Sequence, residues 1–275
     1  MLSCVKIEMT LQDEIKEIIS VFDGTFGINI RLDGKELVNI NSEKKFYAAS
    51  VIKTTLAVEA YKQAIEGKIT LSEMINITDD IKVGGYGVIK ELSGQVKLPF
   101  KDIIKLMIII SDNTASNIVL KKVGMDNVNN TMDEYGLHNT KVQRKLRDFE
   151  SKDKGVDNIT TPREIAKLFE TLLEKKILNY ESCEELIEIL KKQQDITRLP
   201  LLLPNDISVA HKPGGPFKGV NHDVGIVFTP KPYIIACMSY DDPKRVTDRV
   251  IGGDKGSQLI AKISKITYDY FTTLD

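Results

Sequence analysis

The chain has no tryptophan, and aromatic residues make up only 7% of its 275 residues, so a surface for stacking nucleic-acid bases is not expected. Its formal net charge is -1 with no long run of one sign, which leaves neither nucleic acid nor an anionic membrane as a natural partner. The three cysteines, Cys4, Cys183 and Cys237, are odd in number and lack the paired spacing that holds zinc. Cys237, within Ile234-Ile235-Ala236-Cys237-Met238, reads as a buried strand residue. The three histidines, His138, His211 and His222, form no metal pattern and read as structural or surface residues. No metal and no cofactor is implied.

An apolar stretch of membrane-spanning length is also missing. Residues 103–110 are strongly apolar, but the run is short and carries Lys101, Asp102 and Lys105. No apolar signal core precedes the amphipathic helix expected around Leu11, Ile15, Ile18, Ile19 and Phe22, so a cytoplasmic location is the expectation. Leu2-Ser3-Cys4 has the look of a lipoprotein signal tail without its hydrophobic stretch, and export is expected instead if the chain has been trimmed. At 42% hydrophobic and 28% charged, the chain is long enough for one sizeable folded unit of one or two subdomains.

Three short motifs stand out. Ser50-Val51-Ile52-Lys53 opens a segment in which Ile52, Leu56, Ala60 and Tyr61 recur at helical spacing. A serine in the first turn of a helix has the residue three positions on along the same face, so the Lys53 amine can reach the Ser50 hydroxyl. A desolvated lysine can accept the serine proton during attack, and the helix N-terminus favours an oxyanion nearby. The same Ser-x-x-Lys spacing recurs at Ser3, Ser42 and Ser151, so a helix-capping serine followed by a surface lysine is the competing reading.

The second motif, Ser111-Asp112-Asn113, follows the apolar helix after Pro99, so its polar side chains must find partners inside the protein or serve a ligand. It can also start a helix, with Ser111 or Asp112 as the cap. The third, Lys212-Pro213-Gly214-Gly215, lies between strand-like runs at residues 207–210 and 224–228. Its glycines mark either a close approach to the backbone, with an acyl group as the visitor, or an ordinary hairpin turn.

The order and separation of these motifs resemble those of the penicillin-recognising serine hydrolases, and most closely the class A β-lactamases. The resemblance runs nearly the whole length, and Ser111-Asp112-Asn113-Thr114-Ala115-Ser116-Asn117 is its most specific part. It implies that Ser50 is acylated, that Lys53 accepts its proton, and that Ser111 relays a proton to the leaving nitrogen. It further implies that Asn113 binds the substrate's side-chain amide, that Lys212 adds positive charge near the substrate carboxylate, and that the Ser50 and Gly215 NH groups form an oxyanion hole beside Gly214. A small-molecule substrate and a monomer are expected.

Two departures stand beside the resemblance. Family members usually carry Thr or Ser where this chain has Pro213, which lacks both a hydroxyl and a backbone NH. Carboxylate binding then falls to Ser111, Lys212 or an arginine such as Arg245 or Arg249. The deacylating base is expected at Glu150, with Asp148 second, and Lys154 stands where the family's water-binding Asn would be.

The expected function is therefore β-lactam hydrolysis through an acyl-enzyme. A D-alanyl peptidase or esterase that deacylates β-lactams slowly, and a non-hydrolytic binding domain, are the alternatives. The fold class expected is α+β: an antiparallel sheet built from both chain ends (residues 1–49 and 205–275) with flanking helices, plus an all-helical subdomain (residues 50–204).

Overall fold

The computed structural model describes residues 9–217, 219–241 and 255–273. In chain order the elements are α1 (Leu11–Ile19), β1 (Thr25–Leu32), β2 (Lys35–Ile40), β3 (Phe46–Tyr47), α2 (Lys53–Ile65), β4 (Met74–Ile77), β5 (Val96–Pro99), α3 (Phe100–Ile109), α4 (Asn113–Val123), α5 (Met125–Glu134) and α6 (Phe149–Asp153). There follow β6 (Ile159–Thr160), α7 (Pro162–Leu173), α8 (Tyr180–Leu190), β7 (Ser208–Phe217), β8 (Val220–Phe228), β9 (Tyr233–Tyr240) and α9 (Lys255–Thr273).

The main sheet has the order β2-β1-β9-β8-β7 and is antiparallel throughout, so strands from both ends of the chain meet where β1 pairs with β9. Side chains alternate across a strand, and β9 shows the consequence. Tyr233, Ile235 and Cys237 face one apolar layer with Leu11 and Ile15 of α1 and Leu259, Ile260 and Ile263 of α9. Ile234, Ala236 and Met238 face the other, which holds Leu56 of α2, Ile104 and Met107 of α3, and Leu168 and Phe169 of α7. Cys237 is fully buried, as its strand context suggested, and burial pushes its thiol up.

The middle of the chain is not all helical. Strands β4 and β5 form an antiparallel pair, and β6 pairs with β3. Pro99 is the last residue of β5 and caps α3 from outside rather than sitting in its first turn. The apolar helix α3 is buried as expected, with Phe100, Ile103, Ile104, Met107 and Ile108 fully enclosed.

The third motif also differs from a hairpin turn. Strand β7 continues through Pro213 and Gly214, paired with Asp223 and His222, before a bulge ahead of Phe217. A proline is tolerated there because β7 is the edge of the sheet. No described helix is long and apolar enough to cross a membrane.

Gly27 shows how tightly β1 is covered on the α7 side. A Cβ there would lie 2.6 Å from the Phe46 ring and 2.7 Å from Pro162. Gly27→Ala should therefore cost about 1–3 kcal/mol through overpacking, read from the urea midpoint at unchanged slope.

Candidate active site

Ser50 lies in a short 3-10 turn, Ala49–Ile52, that leads directly into α2 at Lys53. A 3-10 turn has three residues per turn, so positions i and i+3 eclipse, and the Ser50 to Lys53 spacing is better aligned than in an α-helix. The turn is forced. Ala49 adopts φ +44°, in the left-handed region, and Gly214 of β7 packs directly beneath. A Cβ on Gly214 would sit 3.2–3.3 Å from Val51, Ala49 and the Ser50 nitrogen. The visitor that requires a glycine here is thus the protein's own Ser50 turn. Gly215, next along β7, has φ +89° and lines the open cleft beside Ser50.

Lys53 is fully buried. Its Nζ donates to Ser111 O at 2.6 Å, to Ser111 Oγ at 3.0 Å and to Asn113 Oδ1 at 3.0 Å. The second motif therefore receives the lysine of the first. Lys212, also fully buried, reaches the same hydroxyl from the sheet, with Nζ 3.2 Å from Ser111 Oγ and 3.0 Å from Pro213 O.

Two amines thus converge on one serine oxygen away from water, and burial is costly for the charged form of each. Burial first, and the neighbouring Lys212 second, hold the Lys53 amine well below the usual lysine range. Burial lowers Lys212 to about 7, opposed by the charges of Asp223 and Asp195. Both shifts favour the neutral amine over the charged one, and Lys212 is poised to change charge near neutral pH.

Ser111 has φ +57°, a second left-handed non-glycine residue in the site. The cap of α4 is Asp112, whose Oδ1 accepts from Ala115 NH at 2.9 Å. Its Oδ2 accepts from Val88 NH at 2.8 Å and Ile89 NH at 2.9 Å, which ties the Gly84-Gly85-Tyr86-Gly87 loop to the motif. Asn113 donates from Nδ2 to Gly84 O at 3.1 Å, and it lines the cleft. The capping and the functional readings of this segment are met by different residues, Asp112 and its two neighbours.

The cleft has a volume of about 340 Å³. Tyr47, Ser50 and Gly215 stand on one side, and Tyr86, Asn113 and Arg147 are among the residues of the rest of its lining. Tyr47 is fixed from behind by His222, whose Nε2 pairs with Tyr47 O at 2.7 Å. Burial lowers the His222 ring to about 4, so it is neutral.

Glu150 is not part of this site. It lies on α6 with its side chain 82% exposed, and it pairs with Lys154 one helical turn on, at 2.7 Å. Lys154 is likewise at the surface, and Asp148 caps α6, accepting from Ser151 NH at 3.0 Å and from its hydroxyl at 2.7 Å. The carboxylate that does line the cleft is Asp157, which the motif reading missed. It is held by Arg144 Nη2 at 2.5 Å, with Lys152 at 3.7 Å. Arg245 and Arg249 lie outside the described residues.

This constellation sits on a chain whose residues 10–271 match the model of the Beta-lactamase enzyme family. The chain belongs to that family. A beta-lactamase of Phocaeicola vulgatus is 27% identical over 114 residues, which cover 40% of this chain and 36% of that protein. Among solved structures, PBP-A superposes with a TM-score of 0.84 at 28% identity, covering 96% of each chain, and a variant of it was captured as an acyl-enzyme complex with penicillin G. A beta-lactamase from Sphaerobacter thermophilus gives 0.83 at 28% identity over 94% of this chain and 95% of that one. The α+β fold of this family member is that of class A β-lactamase structures.

Asp112 is the joint between the motif and the cleft loop. Asp112→Ala leaves three backbone NH groups without their acceptor and should destabilise the protein by about 2–4 kcal/mol, measured by urea unfolding. A loss below about 0.5 kcal/mol would mean that the loop is held in place by other contacts.

Proposed function

We propose that this member of the Beta-lactamase enzyme family opens β-lactams by acyl transfer to Ser50, and that release of the acyl group is the slow step. The observation that carries the first half is the convergence of Lys212 and of Lys53, one 3-10 turn on from Ser50, upon Ser111 Oγ.

Neutral Lys53 accepts the Ser50 proton as Ser50 Oγ attacks the lactam carbonyl carbon. The negative oxygen that forms takes hydrogen bonds from the Ser50 and Gly215 NH groups. When the C–N bond breaks, Ser111 gives its hydroxyl proton to the leaving nitrogen and is reprotonated from Lys53. Asn113 Nδ2 keeps one hydrogen for the substrate's side-chain amide, the other being bound to Gly84 O. With Pro213 offering neither hydroxyl nor NH, the substrate carboxylate relies on Ser111 Oγ and charged Lys212.

The exposed position of Glu150 supports the second half. Hydrolysis of the acyl-enzyme needs a base within reach of a water beside Ser50. The carboxylate on the cleft wall, Asp157, is engaged by Arg144 in an ion pair. The same observation favours an alternative physiological role, acyl transfer from a D-alanyl peptide, in which a β-lactam acts as a poorly released substrate.

Intact mass after mixing with benzylpenicillin should show one covalent adduct on the wild type and none on Ser50→Ala. An adduct on the variant, or none on either, contradicts the assignment. With a chromogenic cephalosporin, one equivalent should be released in a burst followed by slow turnover. Glu150→Gln should change that turnover less than about twofold, whereas removal of a working general base costs about 10²–10⁴-fold.

Acylation should also depend on pH through Lys212. Its charge is present below about 7 and lost above it, so the attraction for an anionic substrate is lost as pH rises. The second-order acylation constant should fall above about pH 7, and this limb should vanish in Lys212→Arg, whose charge persists.

A further inference from the structure

A guanidinium that this reaction does not use stands on the cleft wall beside Asn113. Arg147 has left-handed backbone, φ +68°, and its guanidinium carbon lies 4.4 Å from the centre of the Phe149 ring. It lines the same cleft as Ser50 and Asn113. The other charged groups of that lining are engaged with one another, Arg144 and Lys152 both on Asp157. Among the described residues Arg147 has no hydrogen bond or ion pair, so it is the cation of this wall without a counter-charge.

Its position relative to Asn113 is defined by Gly85. A Cβ on Gly85, φ +88°, would meet Asn113 Nδ2 at 2.6 Å and Arg147 Cδ and Nε at 3.4 and 3.5 Å. The amide of Asn113 and the Arg147 side chain thus flank the same point of the Gly84-Gly85-Tyr86-Gly87 loop. A ligand whose amide lies on Asn113 is therefore next to the Arg147 side chain.

We propose that Arg147 is a specificity-determining residue that selects acyl donors bearing a carboxylate on the carbon next to the side-chain amide carbonyl. This rests on the reading of Ser50 and Asn113 given above. A planar guanidinium flattened on an aromatic ring is preorganised for a carboxylate, and its charge-assisted hydrogen bonds are stronger than neutral ones. The cleft is open to solvent, so the preference is sensitive to salt.

Benzylpenicillin and carbenicillin differ by that one carboxylate and form a matched pair. The measurement is the ratio of their second-order acylation constants, followed by intact mass, for wild type, Arg147→Gln and Arg147→Lys. Arg147→Gln should lower the carbenicillin to benzylpenicillin ratio at least about fivefold while benzylpenicillin acylation stays within about twofold, which also shows that the variant is folded. Arg147→Lys should restore part of the ratio, and added salt should compress it in the wild type. An unchanged ratio in Arg147→Gln, or an equal loss for both penicillins, overturns the proposal. Absence of any adduct on the wild type overturns the Ser50 reading itself and this inference with it.

Discussion

The site is organised around a single constraint: two lysine amines are buried against one serine hydroxyl, with no carboxylate among the described residues in direct contact with either. Two full positive charges so placed, out of water, repel one another and lack hydration. The protein meets this by lowering both amines, Lys53 well below the usual lysine range and Lys212 to about 7, with Asp223 and Asp195 acting on Lys212 from a distance. A neutral amine beside a nucleophile is a base, and a cation a few ångströms away is an anion site. The same electrostatic conflict supplies both.

Holding that arrangement requires backbone that most residues avoid. Ala49, Ser111 and Arg147 all adopt positive φ; Ala49 and Arg147 line the cleft, and Ser111 receives both lysine amines. Each such residue costs of order 1–3 kcal/mol and persists only where its surroundings overdetermine it. Here the surroundings are identifiable: Gly214 packs under the Ser50 turn, Asp112 binds three backbone NH groups, and α3, with its buried apolar face, leads into Ser111. The sheet joins these pieces, because pairing β1 with β9 brings the two ends of the chain together and β7 packs against the 3-10 turn that carries Ser50.

Much of this was legible from residue order. Ser50 and Lys53 are set by local spacing, and Ser111 and Asn113 by the polar break after an apolar helix. Both signals survive folding because each depends on only one element. The apolar run Ile234-Ile235-Ala236-Cys237-Met238 placed Cys237 correctly as a buried strand residue for the same reason. Glu150 lies outside the cleft lining, because the place of an acidic residue in a charged loop is decided by where the loop folds, and here an i,i+4 partner, Lys154, gives it a solvated setting. Arg147 and Asp157 were invisible for a related reason, since only the folded loop turns them toward the cleft. The β4–β5 pair was hidden in a region dominated by helical periodicity. The run of β7 through Pro213 was hidden by turn-forming chemistry that an edge strand can absorb.

The division of charge between Lys53 and Lys212 is the physical core of the account, and lysine side-chain NMR tests it most directly. In protein labelled at the lysine ε-carbon, assigned by Lys53→Met and Lys212→Met, the Lys212 signal should titrate near pH 7 and the Lys53 signal well below the usual lysine range. Two ordinary lysines, both charged up to pH 9 or above, would contradict it.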